Sequence, residues 1–122
     1  MTRESLIKIA QAKYNYLNKK IFSKALPKVD IKVRMARYNG IEASLVTYFF
    51  ALEGKPSIEI HHEWITDEVM LHEMTHLYLY LQYLPSYKLS GQKPADAREF
   101  HRMYAHTREF RDFLRKAKSE LK

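Results

Sequence analysis

The sequence predicts an α+β fold: an N-terminal helix, a small three-stranded antiparallel sheet, a central helix, and one or two C-terminal helices. Three observations carry this. Apolar residues recur at three- and four-residue steps over residues 2 to about 25, the spacing of an amphipathic helix. Between residues 29 and 61 the pattern changes to strict alternation and to runs of β-branched and aromatic residues, which suit strands. Beyond Thr66, helical signals return and continue almost to the last residue.

The first helix presents Leu6, Ala10, Tyr14, Leu17 and Ile21 on one stripe, with Lys8, Lys13, Lys19 and Lys20 falling between them. Pro27 ends it, because proline lacks the N–H a helix interior requires. Val29, Ile31, Val33 and Met35 then alternate with Asp30, Lys32 and Arg34, as in a half-buried strand. Asn39-Gly40 marks a turn. A second strand is predicted over residues 44–52, rich in Val46, Thr47, Tyr48, Phe49 and Phe50 and closed by Glu53-Gly54-Lys55-Pro56. A short third strand follows at 57–61.

Thr66 is a good N-cap, and Asp67 and Glu68 place negative charge at the positive end of a helix dipole, so a helix runs from there until Pro85 halts it. Residues 86–93 contain Gly91 and read as a loop. From Pro94 or Ala95 onward, Ala97, Phe100, Met103 or Tyr104, Phe110, Phe113 and Leu114 outline one or two helices with a basic outer face.

A length of 122 residues suits one domain, read as spanning 1–122, and 46% hydrophobic residues supply one core. There are no cysteines, which excludes disulfides, thiolate zinc ribbons, iron–sulfur ligation and cysteine nucleophiles. Any metal must therefore be held by His, Asp or Glu. No run approaches the ~18 to 20 consecutive apolar residues of a spanning helix, and the amphipathic start lacks the features of a signal peptide. The expected setting is intracellular, in the cytoplasm, with no membrane partner.

The net charge of +7 is unevenly distributed: +8 over residues 1–38, −6 over 39–85 and +5 over 86–122. Basic ends around an acidic middle suit an anionic partner such as nucleic acid through counterion release, and they equally suit solvated lysine-rich helix faces.

The chemistry lies in the central helix, which contains His72-Glu73-Met74-Thr75-His76, an HExxH motif. At 100° per residue the two histidines lie about 40° apart on one face and one turn up, so both imidazoles can reach one Zn²⁺. Glu73 is turned one residue step away. From there it can reach a water on the metal without ligating the metal, the position of a general base. A catalytic zinc normally takes three protein ligands. The metzincin extension is absent, because Leu77, Tyr78 and Leu79 follow His76 with no Gly or His at the required steps. The candidates for the third ligand are Asp96, Glu99, His101 and His106. On a continuous helix His101 and His106 would lie about 140° apart, so only one of them can face the metal.

Other residues have candidate roles. His61 and His62 follow a strand and are either surface histidines or contacts to substrate or to the metal ligands. Glu68, four residues before His72, could orient its imidazole. Tyr78, Tyr80, Tyr83 and above all Tyr104 are candidates to stabilise an oxyanion in the transition state. Lysines near Tyr14 and Tyr16 could form a stacking and phosphate surface.

The chain resembles the SprT-like (Spartan-type) metallopeptidase domain, a minimal gluzincin-like HExxH fold. The residues that carry the resemblance are Tyr16-Leu17-Asn18 to Ala25-Leu26-Pro27 at the end of the first helix, Ile58-Glu59-Ile60, Leu71-His72-Glu73-Met74-Thr75-His76, and His106-Thr107-Arg108-Glu109-Phe110. They span most of the chain. In that family the third ligand is a His followed four residues later by an aromatic at the start of a helix, and His106 and Phe110 hold that spacing. The resemblance thus implies His72, His76 and His106 as zinc ligands, with His101 in reserve, and Glu73 as the base. It also implies a protein or peptide substrate, hydrolysis of DNA-bound proteins, and DNA contact through the basic ends. Thr107 stands where the family usually has Gly, the interval from His76 to His106 is longer than is common there, and no cysteine zinc ribbon follows. A non-catalytic zinc-containing module that binds nucleic acid or a protein partner is the alternative reading.

Overall fold

The computed structural model describes residues 2–35, 44–47, 57–89 and 107–121. Helix α1 spans Arg3–Lys20. Three strands follow, β1 at Asp30–Arg34, β2 at Ser44–Thr47 and β3 at Ser57–His61. A 3₁₀ turn at His62–Trp64 leads into helix α2 at Asp67–Leu89, and helix α3 occupies Arg108–Glu120. The described part is thus mixed α and β.

The Thr2 hydroxyl caps α1 by accepting from the Ser5 N–H at 3.1 Å. The helix stops at Lys20, short of the predicted end near residue 25. Ser23 and Lys24 take positive φ values of 51° and 63°, which reverse the chain before Pro27 is reached. Asn18 secures this reversal. Its carbonyl accepts from the Lys24 N–H at 2.8 Å, and its side-chain amide both donates to and accepts from the Leu26 backbone at 3.0 and 3.1 Å. Tyr14 adds a second tie across the same bend, donating its hydroxyl to the Pro27 carbonyl at 2.6 Å.

The sheet order is β1-β3-β2. β3 pairs antiparallel with β2, Thr47 opposite Ser57, but parallel with β1, Ile31 opposite Ile58 and Val33 opposite Ile60. The sheet is therefore mixed, and the expectation of three antiparallel strands is corrected. Alternation along a strand reports which face is buried and has the same period in both pairings, so it carries no information about direction. Insertion between two neighbours explains why four of the five β3 residues are buried.

α1 packs on α2 and β1, while α2 also packs against β2 and α3. The core unites Ala10, Tyr14 and Leu17 of α1, Phe22, Leu26 and Val29 of the connector, Ile31, Ile58 and Ile60 of the sheet, and Met70, Leu71, Met74 and Leu77 of α2. Each fully buried Leu or Ile contributes roughly 1.5 to 3 kcal/mol. Beside this core Phe22, Tyr78 and Phe113 join α1's exit, α2 and α3 through ring contacts of 5.1 to 5.6 Å.

Thr66 caps α2 as the sequence predicts, its hydroxyl accepting from the Val69 N–H at 3.1 Å. Pro85 does not halt the helix, which runs on to Leu89, so residues 86–89 are helical rather than loop. A proline inside a helix removes the donor to the carbonyl four residues earlier and crowds that carbonyl, at a cost of about 3 kcal/mol. The middle turns of the helix are buried almost all round, with residues 73–77 and their neighbours Met70, Leu71 and Leu79 all buried. No helix among the described residues is long and apolar enough to cross a membrane.

Candidate metal centre

The HExxH motif lies in the middle of α2, between the sheet and α3. Burial of Met70, Leu71, Met74 and Leu77 against the sheet and α1 sets the rotation of this helix and thereby the side from which its histidines project. Thr75 makes no demand on the site, because its hydroxyl donates back to the Leu71 carbonyl at 2.8 Å.

The two imidazoles converge. Nε2 of His72 and Nε2 of His76 are 3.2 Å apart, and the ring planes stand at 78°. Two nitrogens each about 2.0 to 2.1 Å from one zinc at a tetrahedral angle would be separated by about 3.3 to 3.4 Å. The 3.2 Å spacing, a hydrogen-bond contact between the rings here, is therefore close to that of two nitrogens on one Zn²⁺. His76 is 3% exposed, whereas the His72 side chain remains 36% exposed, so this nitrogen pair lies at the edge of the core with one side toward solvent.

Glu73 occupies the expected neighbouring position. It is only 5% exposed, and its Oε1 lies 4.0 Å from His72 Nε2. That is too long for a hydrogen bond and leaves the carboxylate adjacent to the nitrogen pair, within reach of a water between them.

The first turn of α3 covers the other side of the imidazoles. Thr107 caps this helix, its hydroxyl accepting from the Phe110 N–H at 3.2 Å and its carbonyl from the Arg111 N–H at 3.0 Å. Threonine thus has a structural use at the position where the resembled family usually has Gly. Buried Phe110 stacks on His76 with centroids 4.2 Å apart at 19°, and meets His72 edge-on at 5.1 Å and 76°. The sequence pattern singled out Phe110 for its spacing from His106; its contact with both imidazoles had no signal of its own.

His106, His101, Tyr104, Asp96 and Glu99 lie outside the described residues. Among the described residues no group of three His, Cys, Asp or Glu gathers to hold a metal. Of the predicted site, the two metal-ligand candidates His72 and His76 lie together, with Glu73 beside them.

The remaining candidates fall elsewhere. His61 is not a surface histidine: it is 1% exposed, its Nδ1 accepts from the Glu63 N–H at 3.2 Å, and its ring packs 4.5 Å from that of His62. The burial of both Ser57 and His61 follows from the central place of β3. Half-buried His62 lies 3.8 Å from the Glu63 carboxylate. Glu68 is exposed in the first turn of α2, where it complements the helix dipole. Tyr78 belongs to the Phe22–Phe113 aromatic cluster, which accounts for it as packing; the side chains of Tyr80 and Tyr83 lie outside the described set. Lys20 reaches back over the Tyr16 ring, and Lys13 bonds Asp67 at 3.0 Å, so both lysines have intramolecular uses.

Comparison of the chain with family models, with curated proteins and with solved structures finds no match.

Proposed function

We propose that this chain is a zinc-dependent metallopeptidase of the SprT-like type, with His72, His76 and His106 as ligands and Glu73 as general base. The observation that carries the reading is the 3.2 Å separation of the two Nε2 atoms beside a buried glutamate. Phe110 against both imidazoles supports His106 as the third ligand, because the two residues are only four positions apart in the sequence. His101 remains the reserve.

A Zn²⁺, when bound, supplies positive charge that polarises a scissile carbonyl and lowers the pKa of water. His72 and His76 present their Nε2 lone pairs to it as neutral imidazoles. Glu73 accepts a proton at its carboxylate from the attacking water and returns it to the leaving amine. Burial of Glu73 holds its carboxylate in one place through both transfers, while the exposed side of His72 leaves an approach for a peptide. The substrate class is protein or peptide. The resemblance implies DNA-bound proteins as targets, with the basic ends as the DNA-facing surface and the cytoplasm as the setting.

The test compares zinc-loaded wild type with Glu73→Gln on an unfolded protein and on a DNA-binding protein, each with and without DNA, reading fragments by mass spectrometry. We expect fragments from wild type only, with zinc content and circular dichroism unchanged in the variant. Equal cleavage by Glu73→Gln would overturn the role of Glu73. A zinc-loaded, folded wild type that produces no fragments from either substrate would favour the binding module instead. DNA affinity that is absent at low salt, or insensitive to salt, would remove DNA-bound proteins from the proposal.

A further inference from the structure

We propose that Phe110 is a positioning residue for the metal: one aromatic ring fixes the planes of both HExxH imidazoles and so sets their affinity for it. The inference rests on the metal-site reading above and adds to it a residue that donates no ligand atom.

The need for such a residue follows from histidine itself. The torsion that orients an imidazole about its Cβ–Cγ bond is broad, so the backbone of α2 can place the two Cβ atoms one turn apart without fixing where the nitrogens point. Packing must fix them. Phe110 lies nearly parallel to His76 at 4.2 Å, so rotation of that imidazole out of its plane would drive it into the phenyl face. The same ring meets His72 at 76° and 5.1 Å, a near-perpendicular contact that restricts rotation of that imidazole too. The two imidazoles, at 78° to each other, thus meet one phenyl ring in two different ways, one stacked and one near-perpendicular. For His76 charge acts in the same direction, because an imidazole that has donated its lone pair to a cation is electron-poor and is favoured over the negative face of a π system.

Phe110 is itself held. It is 2% exposed and sits in the first turn of α3, one helical turn inside the Thr107 cap that bonds its N–H. Docking of α3 on α2 is thereby coupled to the arrangement of the nitrogen pair, with α3 acting as a latch on the metal site.

The experiment measures Zn²⁺ and Co²⁺ affinity by chelator competition, and the visible spectrum of the Co²⁺ form, for wild type, Phe110→Leu, Phe110→Met and Phe110→Tyr. Unfolding of each metal-free protein is followed in parallel. Leu and Met keep an apolar group of similar bulk without a ring, and either serves if the other fails to fold; Tyr keeps the ring. We expect the ringless variants to bind about tenfold to a hundredfold more weakly, the range found when groups supporting metal ligands are lost, and to shift the Co²⁺ absorption. Tyr should restore both. Wild-type affinity and spectrum in a folded Leu or Met variant would overturn the role of the ring while leaving the metal site standing. A folded wild type that takes up neither metal would overturn the metal-site reading, and the inference with it.

Discussion

Tyr14→Phe should destabilise the protein at neutral pH and become neutral or even stabilising at pH 11. The Tyr14 hydroxyl donates to the Pro27 carbonyl at 2.6 Å, and the residue is almost completely buried among α1, the connector and the sheet. Its removal at pH 7 loses one hydrogen bond, a cost of about 0.5 to 1.5 kcal/mol, since exposed Pro27 can offer its carbonyl to water. Burial also pushes the phenol well above the ordinary tyrosine range. A raised folded-state pKa means that the native protein holds the proton more tightly than the unfolded chain. The resulting stability is complete below the unfolded value near 10 and is lost as pH climbs toward the raised one. Between pH 9 and pH 11 the unfolded tyrosine ionises while the folded one does not, which costs wild type about 1.4 kcal/mol that the Phe variant does not lose. The other tyrosines and the lysines titrate alike in both proteins and cancel in the difference. Urea unfolding at pH 7, 9 and 11, followed by circular dichroism, reads this directly. A gap between the two proteins that stays constant from pH 9 to pH 11 would refute the reasoning.

Leu77→Ala, in the core beneath the motif, should cost about 2 to 5 kcal/mol by urea unfolding and should weaken metal binding only as far as the fold is lost. Thr107→Ala should cost about 1 kcal/mol by removing the α3 cap, and Thr107→Ser should recover most of it in the same assay. Lys13 and Asp67 keep partial exposure, so a double-mutant cycle on their 3.0 Å ion pair should give less than about 1 kcal/mol, falling further at high salt.

Much of this architecture was legible in local patterns. The stripe of α1, the alternation of β1, the position of β3 and the Thr66 cap are each set by neighbours in sequence, and the structure has them. The convergence of His72 and His76 was legible for the same reason, since four residues make one helical turn. What escaped depends on distant parts of the chain. The parallel pairing of β1 with β3 is fixed by which strand lies between the others. The passage of α2 through Pro85 runs against the local preference of proline, and the early end of α1 reflects Asn18 binding Leu26 across the bend. The stacking of Phe110 on His76 needs α3 to dock on α2, which no local period encodes.

Zinc content tests the central claim most directly. It would be measured by elemental mass spectrometry on purified wild type, His76→Ala, His101→Ala and His106→Ala, with circular dichroism confirming the fold of each. The account predicts one zinc per chain in wild type and in His101→Ala, and its loss or marked weakening in the other two. A well-folded wild type that remains free of zinc after zinc is supplied would contradict it.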